Sequence, residues 1–193
     1  SAENAEQWRG GSLDRDIVPE GETASIRWAH GESTSLEHRG CPSDWTGEHN
    51  ALDFWLHSEK ATNSRFLIYI GSENPETAGI DYYSTTIRLD FTGWRHYQLS
   101  LKDLNRSRSP LGFDKITSFR MNATGWNNTP HAEAVVRVGD IRLVYLPPVK
   151  GPRVNDEDFF AALDLDRPGL EAVKTAVTAA DYAAARSALL SYY

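Results

Sequence analysis

Residues 82–101 read YYSTTIRLDFTGWRHYQLSL, and their pattern decides the fold. Tyr83, Thr85, Ile87 and Leu89 alternate with Tyr82, Ser84, Thr86 and Arg88, so one face of an extended segment is apolar and the other polar. Asp90-Phe91-Thr92-Gly93 interrupts that run. A second run then puts Tyr97, Leu99 and Leu101 on one face and His96, Gln98 and Ser100 on the other. Period-two alternation around a Gly-bearing corner predicts antiparallel strands with one buried face. Trp94, beside the corner, is expected in core or hinge packing.

The same grammar extends outward. Upstream, Phe66, Ile68 and Ile70 alternate with Leu67 and Tyr69, and Leu52, Phe54 and Leu56 alternate with Asp53, Trp55 and His57. Thr23–Trp28 and Ser33–His38 are further strand candidates, with Trp28 in phase with Ile26 and so expected inside. Residues 1–22 are polar and Gly-bearing, which predicts an irregular lead-in with one edge strand near Asp16–Val18. Downstream, residues 102–115 predict a long loop with a helical turn at its start. Ile116–Asn122 is a strand, and residues 123–130, ATGWNNTP, form a loop with Trp126 at its tip. Glu133–Leu146 reads as two short strands or one strand bulged at Gly139. About eight strands separated by turn chemistry, with no βαβ alternation, predict a mainly β fold: a two-sheet antiparallel β-sandwich of the jelly-roll kind over residues 23–148.

Pro147-Pro148 and Gly151-Pro152 end the β pattern, making residues 149–155 a linker. Residues 156–193 are Ala-rich and shift to a helical period. Asp156–Leu163 predicts a short helix and Pro168–Ala179 a second, with Pro168 in its first turn. Asp181 is placed to cap a third helix reaching Ser191. Leu170, Val173 and Val177 share a face, as do Tyr182, Ala185, Leu189 and Tyr192, so the last two helices make a hairpin whose apolar stripe needs a partner.

Composition narrows the function classes. Hydrophobic content of 40% and charged content of 24% are those of a globular domain, and no apolar run is long enough to span a bilayer. Cys41 is the single cysteine, so no internal disulfide forms, and a plain buried or half-buried thiol is expected. The formal charge is −7. Residues 151–193 hold four basic and seven acidic residues, hence −3, leaving −4 for residues 1–150. Without a basic run, nucleic acid is not expected as a partner, and a polyanion would need a local arginine cluster. The first residues, SAENAEQWRGGS, lack an initiator Met and a charged-then-apolar leader, which leaves secretion open.

The six histidines, His30, His38, His49, His57, His96 and His131, fall in no metal-ligand spacing, and no nucleophile elbow, P-loop or dinucleotide turn is present. A catalytic centre is therefore not expected. Aromatics carry more information. Trp55, Tyr69 and Tyr82 are out of phase with the core positions of their strands. With His57, Asp53 and Arg88 they suggest a sheet face suited to sugars, because a pyranose ring stacks on an aromatic while its hydroxyls meet planar polar groups. Arg120 would join Arg88 in pairing acidic groups. The alternative is that loops or the C-terminal helices cover this face. Trp45 and Trp126, both in loops, make a second candidate platform at the sandwich end, or else pin their loops. Glu22 and Asp140 flank strands that could be neighbours, and such a pair with backbone carbonyls would hold a structural calcium ion; no cofactor is required.

The succession SIRW, DWTGEHNALDFWLHS, FLIYIGSEN, YYSTTIRLDFTGWRHYQLSL, RSPLGFDKITSFRMNATGWN and VGDIRLVYL resembles the jelly-roll (galactose-binding-like) carbohydrate-binding domain at the N-terminus of bacterial heparinase II/III-like polysaccharide lyases. The tail, DEDFFAALDLDRPGLEAVKTAVTAADYAAARSALLSYY, is similar to the helical opening of their α/α-toroid. The resemblance implies a secreted or periplasmic protein whose partners are a polysaccharide, with uronic-acid polymers favoured, and the rest of a lyase catalytic chain. It implies no membrane insertion. The family's catalytic Tyr, His, Asn and Arg lie in the toroid and a later sandwich, so none is carried over. Tyr192 and Tyr193 match only the end of a packing helix. Two functions follow: a non-catalytic carbohydrate-binding module, or a structural domain that packs on the toroid without touching sugar.

Overall fold

A computed structural model describes residues 5–147 and 156–192, in two compact units divided between Leu146 and Pro147. The expected linker at 149–155, with Pro148 and Gly151-Pro152, lies outside the described residues, as does Tyr193. The first unit runs β1 (Trp8–Arg9), β2 (Ser12–Asp14), β3 (Ser25–Ala29), β4 (Ser35–His38), β5 (Ala51–Ser58), β6 (Arg65–Gly71), β7 (Tyr82–Arg88), β8 (Gly93–Ser100), β9 (Asn105–Ser107), β10 (Ser118–Asn122) and β11 (Val135–Val144). Every strand pairing is antiparallel, in a six-stranded sheet ordered β1-β4-β10-β6-β7-β9 and a five-stranded sheet ordered β2-β3-β11-β5-β8.

The core is the sum of the in-phase positions. Leu36, Phe66, Ile68, Ile70, Ile87, Phe119 and Met121 from the six-stranded sheet meet Ile26, Trp28, Leu52, Phe54, Leu56, Val136 and Val138 from the other. Two inner faces interdigitating over about 10 Å is the packing of a β-sandwich. Trp28 is wholly buried, its indole N–H donating to Ser33 O at 2.8 Å, which satisfies the one polar atom it brings inside.

The corner within residues 82–101 does more than join neighbours: β7 and β8 belong to different sheets. Leu89 and Phe91 stay buried through the crossing, Gly93 takes a φ of +85°, and Arg95 bonds Asp90 at 3.0 Å while lying 4.0 Å over the Phe91 ring. The lead-in also differs from expectation. Its strands are β1 and β2, one in each sheet, and none forms at Asp16–Val18. Asp14 Oδ1 accepts the backbone N–H groups of Asp16 and Ile17, and that Asx turn ends the extended chain. The long loop contains the helical turn at Leu101–Asp103 and also the edge strand β9. β11 is one bulged strand: Gly139 faces Trp55 and Arg142 faces Asp53, so Asp140 and Ile141 oppose Phe54 alone.

The second unit contains α1 (Asp156–Ala161), α2 (Glu171–Thr178) and α3 (Tyr182–Tyr192). Asp181 Oδ1 accepts the Ala184 N–H at 3.0 Å, the N-cap bond read from the sequence. α2 starts at Glu171 rather than Pro168, because Gly169, at φ +94°, interrupts the helical path. The hairpin stripe is partly covered within the unit itself: Phe160 of α1 closes over Leu170, Val173 and Ala185.

Candidate functional site

The six residues expected on one sheet face occupy two. Asp53, Trp55 and His57 project from β5 on the outer side of the five-stranded sheet, whereas Tyr69, Tyr82 and Arg88 project from β6 and β7 on the outer side of the six-stranded sheet. Alternation assigns a residue to the non-core side of its strand, but two stacked sheets have two such sides, facing away from each other.

On the five-stranded sheet, registered pairing builds three rows: Arg137-His57-Trp94, Gly139-Trp55-His96 and Arg142-Asp53-Gln98. Asp53 is 2% exposed and organises the last two. Its Oδ2 accepts from His96 Nε2 and Gln98 Nε2, each at 2.9 Å. A carboxylate only accepts, so His96 carries its proton on Nε2. Arg142 Nε stands 3.5 Å from Asp53 Oδ1, an oxygen with no hydrogen bond. The Trp55 indole, partly exposed, stacks on the His96 ring at 4.8 Å and 21°, and His57 meets Trp94 edge-on at 5.2 Å. Burial, reinforced by the Arg137 charge, lowers the His57 pKa, so this ring is neutral at pH 7. Beyond it, Arg137 is nearly buried between Asp14 and Glu59, at 2.7 Å from each. A Cβ at Gly139 would collide with Pro19, so the lead-in packs on this face beside Trp94.

Trp94 is thus on the outer face and not in the core. It is in phase with His96 and Gln98, the signal that places it, whereas proximity to the corner points elsewhere. His96, Gln98 and Arg142 complete the cluster around Trp55 and Asp53, and only the strand order β11-β5-β8 brings them there.

On the six-stranded sheet the aromatics are packed down. Tyr69 is 0% and Tyr82 8% exposed, stacked on each other at 4.7 Å. Trp126 covers them, its indole N–H donating to Tyr82 Oη at 2.6 Å, and it is the exposed ring of the group at 42%. Tyr69 Oη donates to Glu73 at 3.1 Å, and the Arg120 guanidinium lies 4.3 Å over its ring. Tyr69 and Tyr82 therefore support Trp126 and cannot themselves offer a ring face. Trp45 does not join Trp126 as a platform: it is 3% exposed, donates to Pro42 O at 2.8 Å and packs on Phe119, on the opposite side of the same sheet.

Glu22 precedes β3, and Asp140 lies in the bulge of β11, the strand paired with β3. Asp140, however, pairs with Arg142 at 3.1 Å, and a guanidinium on that carboxylate opposes a second cation. No group of three or more His, Cys, Asp or Glu side chains suited to a metal exists among the described residues. Cys41 borders a largely apolar cleft of about 440 Å³ shared with Trp8, Trp45 and Phe119. Burial pushes its thiol pKa up, the reverse of what an activated nucleophile needs. No described helix is long and apolar enough to cross a membrane.

Residues 159–193 match the family model described as Heparinase II/III N-terminus. No curated protein matches the chain. Among solved structures, the chain is similar to the family 30 carbohydrate-binding module of a cellulosomal cellulase of Clostridium thermocellum, with a TM-score of 0.53 and 15% identity over 72% of this chain and 86% of that one. A further family 30 module gives a TM-score of 0.52 and 14% identity, covering 80% and 86%. The family 11 module from Clostridium thermocellum, solved in complex with a β-1,3-1,4-mixed-linked tetrasaccharide, gives 0.50 and 16%, covering 72% and 89%. At such identities the likeness shows a shared fold. The chain thus carries a jelly-roll sandwich with the fold shared by these carbohydrate-binding modules, followed by a helical segment, residues 159–193, that is similar to the heparinase II/III N-terminus.

Proposed function

We propose that this chain is a non-catalytic carbohydrate-binding module, secreted or periplasmic, that holds a polysaccharide lyase on an acidic polysaccharide through the outer face of its five-stranded sheet. The observation that carries the reading is the partly exposed Trp55 indole stacked on His96, beside Gln98, with both polar side chains anchored by the buried Asp53. A ring platform flanked by pre-oriented donors and acceptors is what a pyranose needs, and anchoring removes ordering cost. A shallow face of this size gives dissociation constants on the order of millimolar to micromolar.

Affinity electrophoresis and titration calorimetry against soluble acidic and neutral polysaccharides test it. Retardation by one glycan class, abolished in Trp55→Ala and weakened in Gln98→Ala, is expected. Unchanged retardation in both folded variants would refute this face as the site. One observation favours a second reading, a structural domain for the lyase toroid: Phe159 is 41% and Leu190 79% exposed on the helical unit, apolar surface suited to more helices. No binding to any glycan by the folded chain is the outcome that reading expects.

A further inference from the structure

The outer face of the six-stranded sheet has a different chemistry from the Trp55 face. Arg65 and Arg88 stand directly opposite each other across β6 and β7. Both are exposed, and neither enters an ion pair among the described residues. Like charges opposed on a sheet destabilise it, so this pair weakens the strand pairing without a compensating contact. One row along, Asn122 lies opposite Leu67 and diagonal to Arg65; it is 8% exposed, and its Nδ2 has no acceptor. In the next row the buried Nε of Arg120 also lacks one, although the guanidinium itself is held on Tyr69. Glu37 faces Arg120 from β4 and Glu73 accepts from Tyr69, yet neither forms an ion pair with Arg120. Buried donors without acceptors are costly and uncommon. Here they share a face with two unpaired guanidinium groups.

We propose that this face is a second saccharide site, selective for rings bearing carboxylate or sulfate. A polyanionic chain would run over this face outside the buried Leu67 and Tyr69, one ring against the exposed Trp126 and its charged groups at Arg120 and then at Arg65 and Arg88. From Arg65 to Gly71 the strand extends about 20 Å, room for several sugar units. Guanidinium forks meet carboxylate and sulfate oxygens in charge-assisted pairs, which the exposed and unpaired Arg65 and Arg88 are free to make. The proposal rests on the polysaccharide reading for its ligand class but not on the Trp55 face for its geometry.

The test compares the full chain, Trp55→Ala, Arg120→Gln and the double variant Arg65→Gln/Arg88→Gln. The probes are polygalacturonate, the same polymer after carboxyl reduction, dextran sulfate and dextran. The double variant removes two exposed, unpaired charges, so it should fold with an unchanged or higher Tm. Removing two exposed guanidinium–carboxylate pairs at once predicts about tenfold weaker polygalacturonate binding, with a shallower salt dependence. Trp55→Ala should retain this component, and dextran should not compete for it. Parallel loss of dextran sulfate binding would assign sulfate as well as carboxylate; its absence would restrict the site to carboxylate. Polygalacturonate binding unchanged in both arginine variants would overturn the proposal. So would equal binding of the carboxyl-reduced polymer. Complete loss in Trp55→Ala alone would overturn it while leaving the first site standing.

Discussion

Acidification from pH 7 to 4.5 should destabilise the sandwich through His30, starting above the range in which carboxylates titrate. His30 follows β3 and is 3% exposed, its ring 4.2 Å from Trp28 and 6.1 Å from Phe66, with no hydrogen-bond partner on either ring nitrogen. Burial, with the nearby His131 charge adding to it, lowers its pKa from 6.5 to about 4. The unfolded chain therefore takes up a proton near pH 6.5 that the folded chain refuses until about pH 4. Stability from this group is complete above pH 6.5 and is lost as pH falls through the window. At pH 4.5 the loss is about 2–3 kcal/mol, a large part of a domain stability of about 5–15 kcal/mol. His38 and His57, also lowered by burial, add in the same direction. All six tryptophans lie between Trp8 and Trp126, so urea melts followed by tryptophan fluorescence report the sandwich alone. His30→Phe, which keeps a flat ring against Trp28, should remove most of the pH dependence between 6.5 and 4.5. An equal loss in wild type and His30→Phe across that window would refute the reasoning.

Arg137→Ala should cost about 3–5 kcal/mol in the same melts, because it strands the Asp14 carboxylate in a nearly buried site; a cost below about 1 kcal/mol would mean that water reaches the pair. Burial alone would raise the Asp14 pKa, but the Arg137 hydrogen bond and the N–H groups of Asp16 and Ile17 hold it below the usual carboxylate range. In Arg137→Ala the acid transition should consequently move to higher pH. Calcium followed by excess chelator should leave Tm unchanged, since Arg142 already neutralises Asp140; a rise with calcium that Asp140→Asn abolishes would place a cation there.

The faces of single strands are legible because alternation is local. Phe54 and Leu56 separate from Asp53 and Trp55, and Asp181 announces its helix, from residues within a few positions of one another. Two departures from expectation have a common origin. Alternation groups Tyr69 with Trp55, and the nearby corner sends Trp94 inward, because the sequence around a residue says which side of its strand it occupies but not which strand comes next. Tyr69 and Tyr82 also look available, since nothing in β6 or β7 reveals that Trp126, more than forty residues further on, closes over them.

The amino-acid sequence by itself determined the β-sandwich, the change to helices after Leu146, the charge balance and the choice of which side chains avoid the core. Those properties follow from periodicity and composition, which no distant contact alters. The tertiary structure alone decided that β5 pairs with β8 and β11 while β6 pairs with β7 and β10. That pairing depends on contacts far apart in the chain. It set Asp53, Trp55, His96 and Gln98 together on one face, and Arg65, Arg88, Arg120 and Asn122 together on the other.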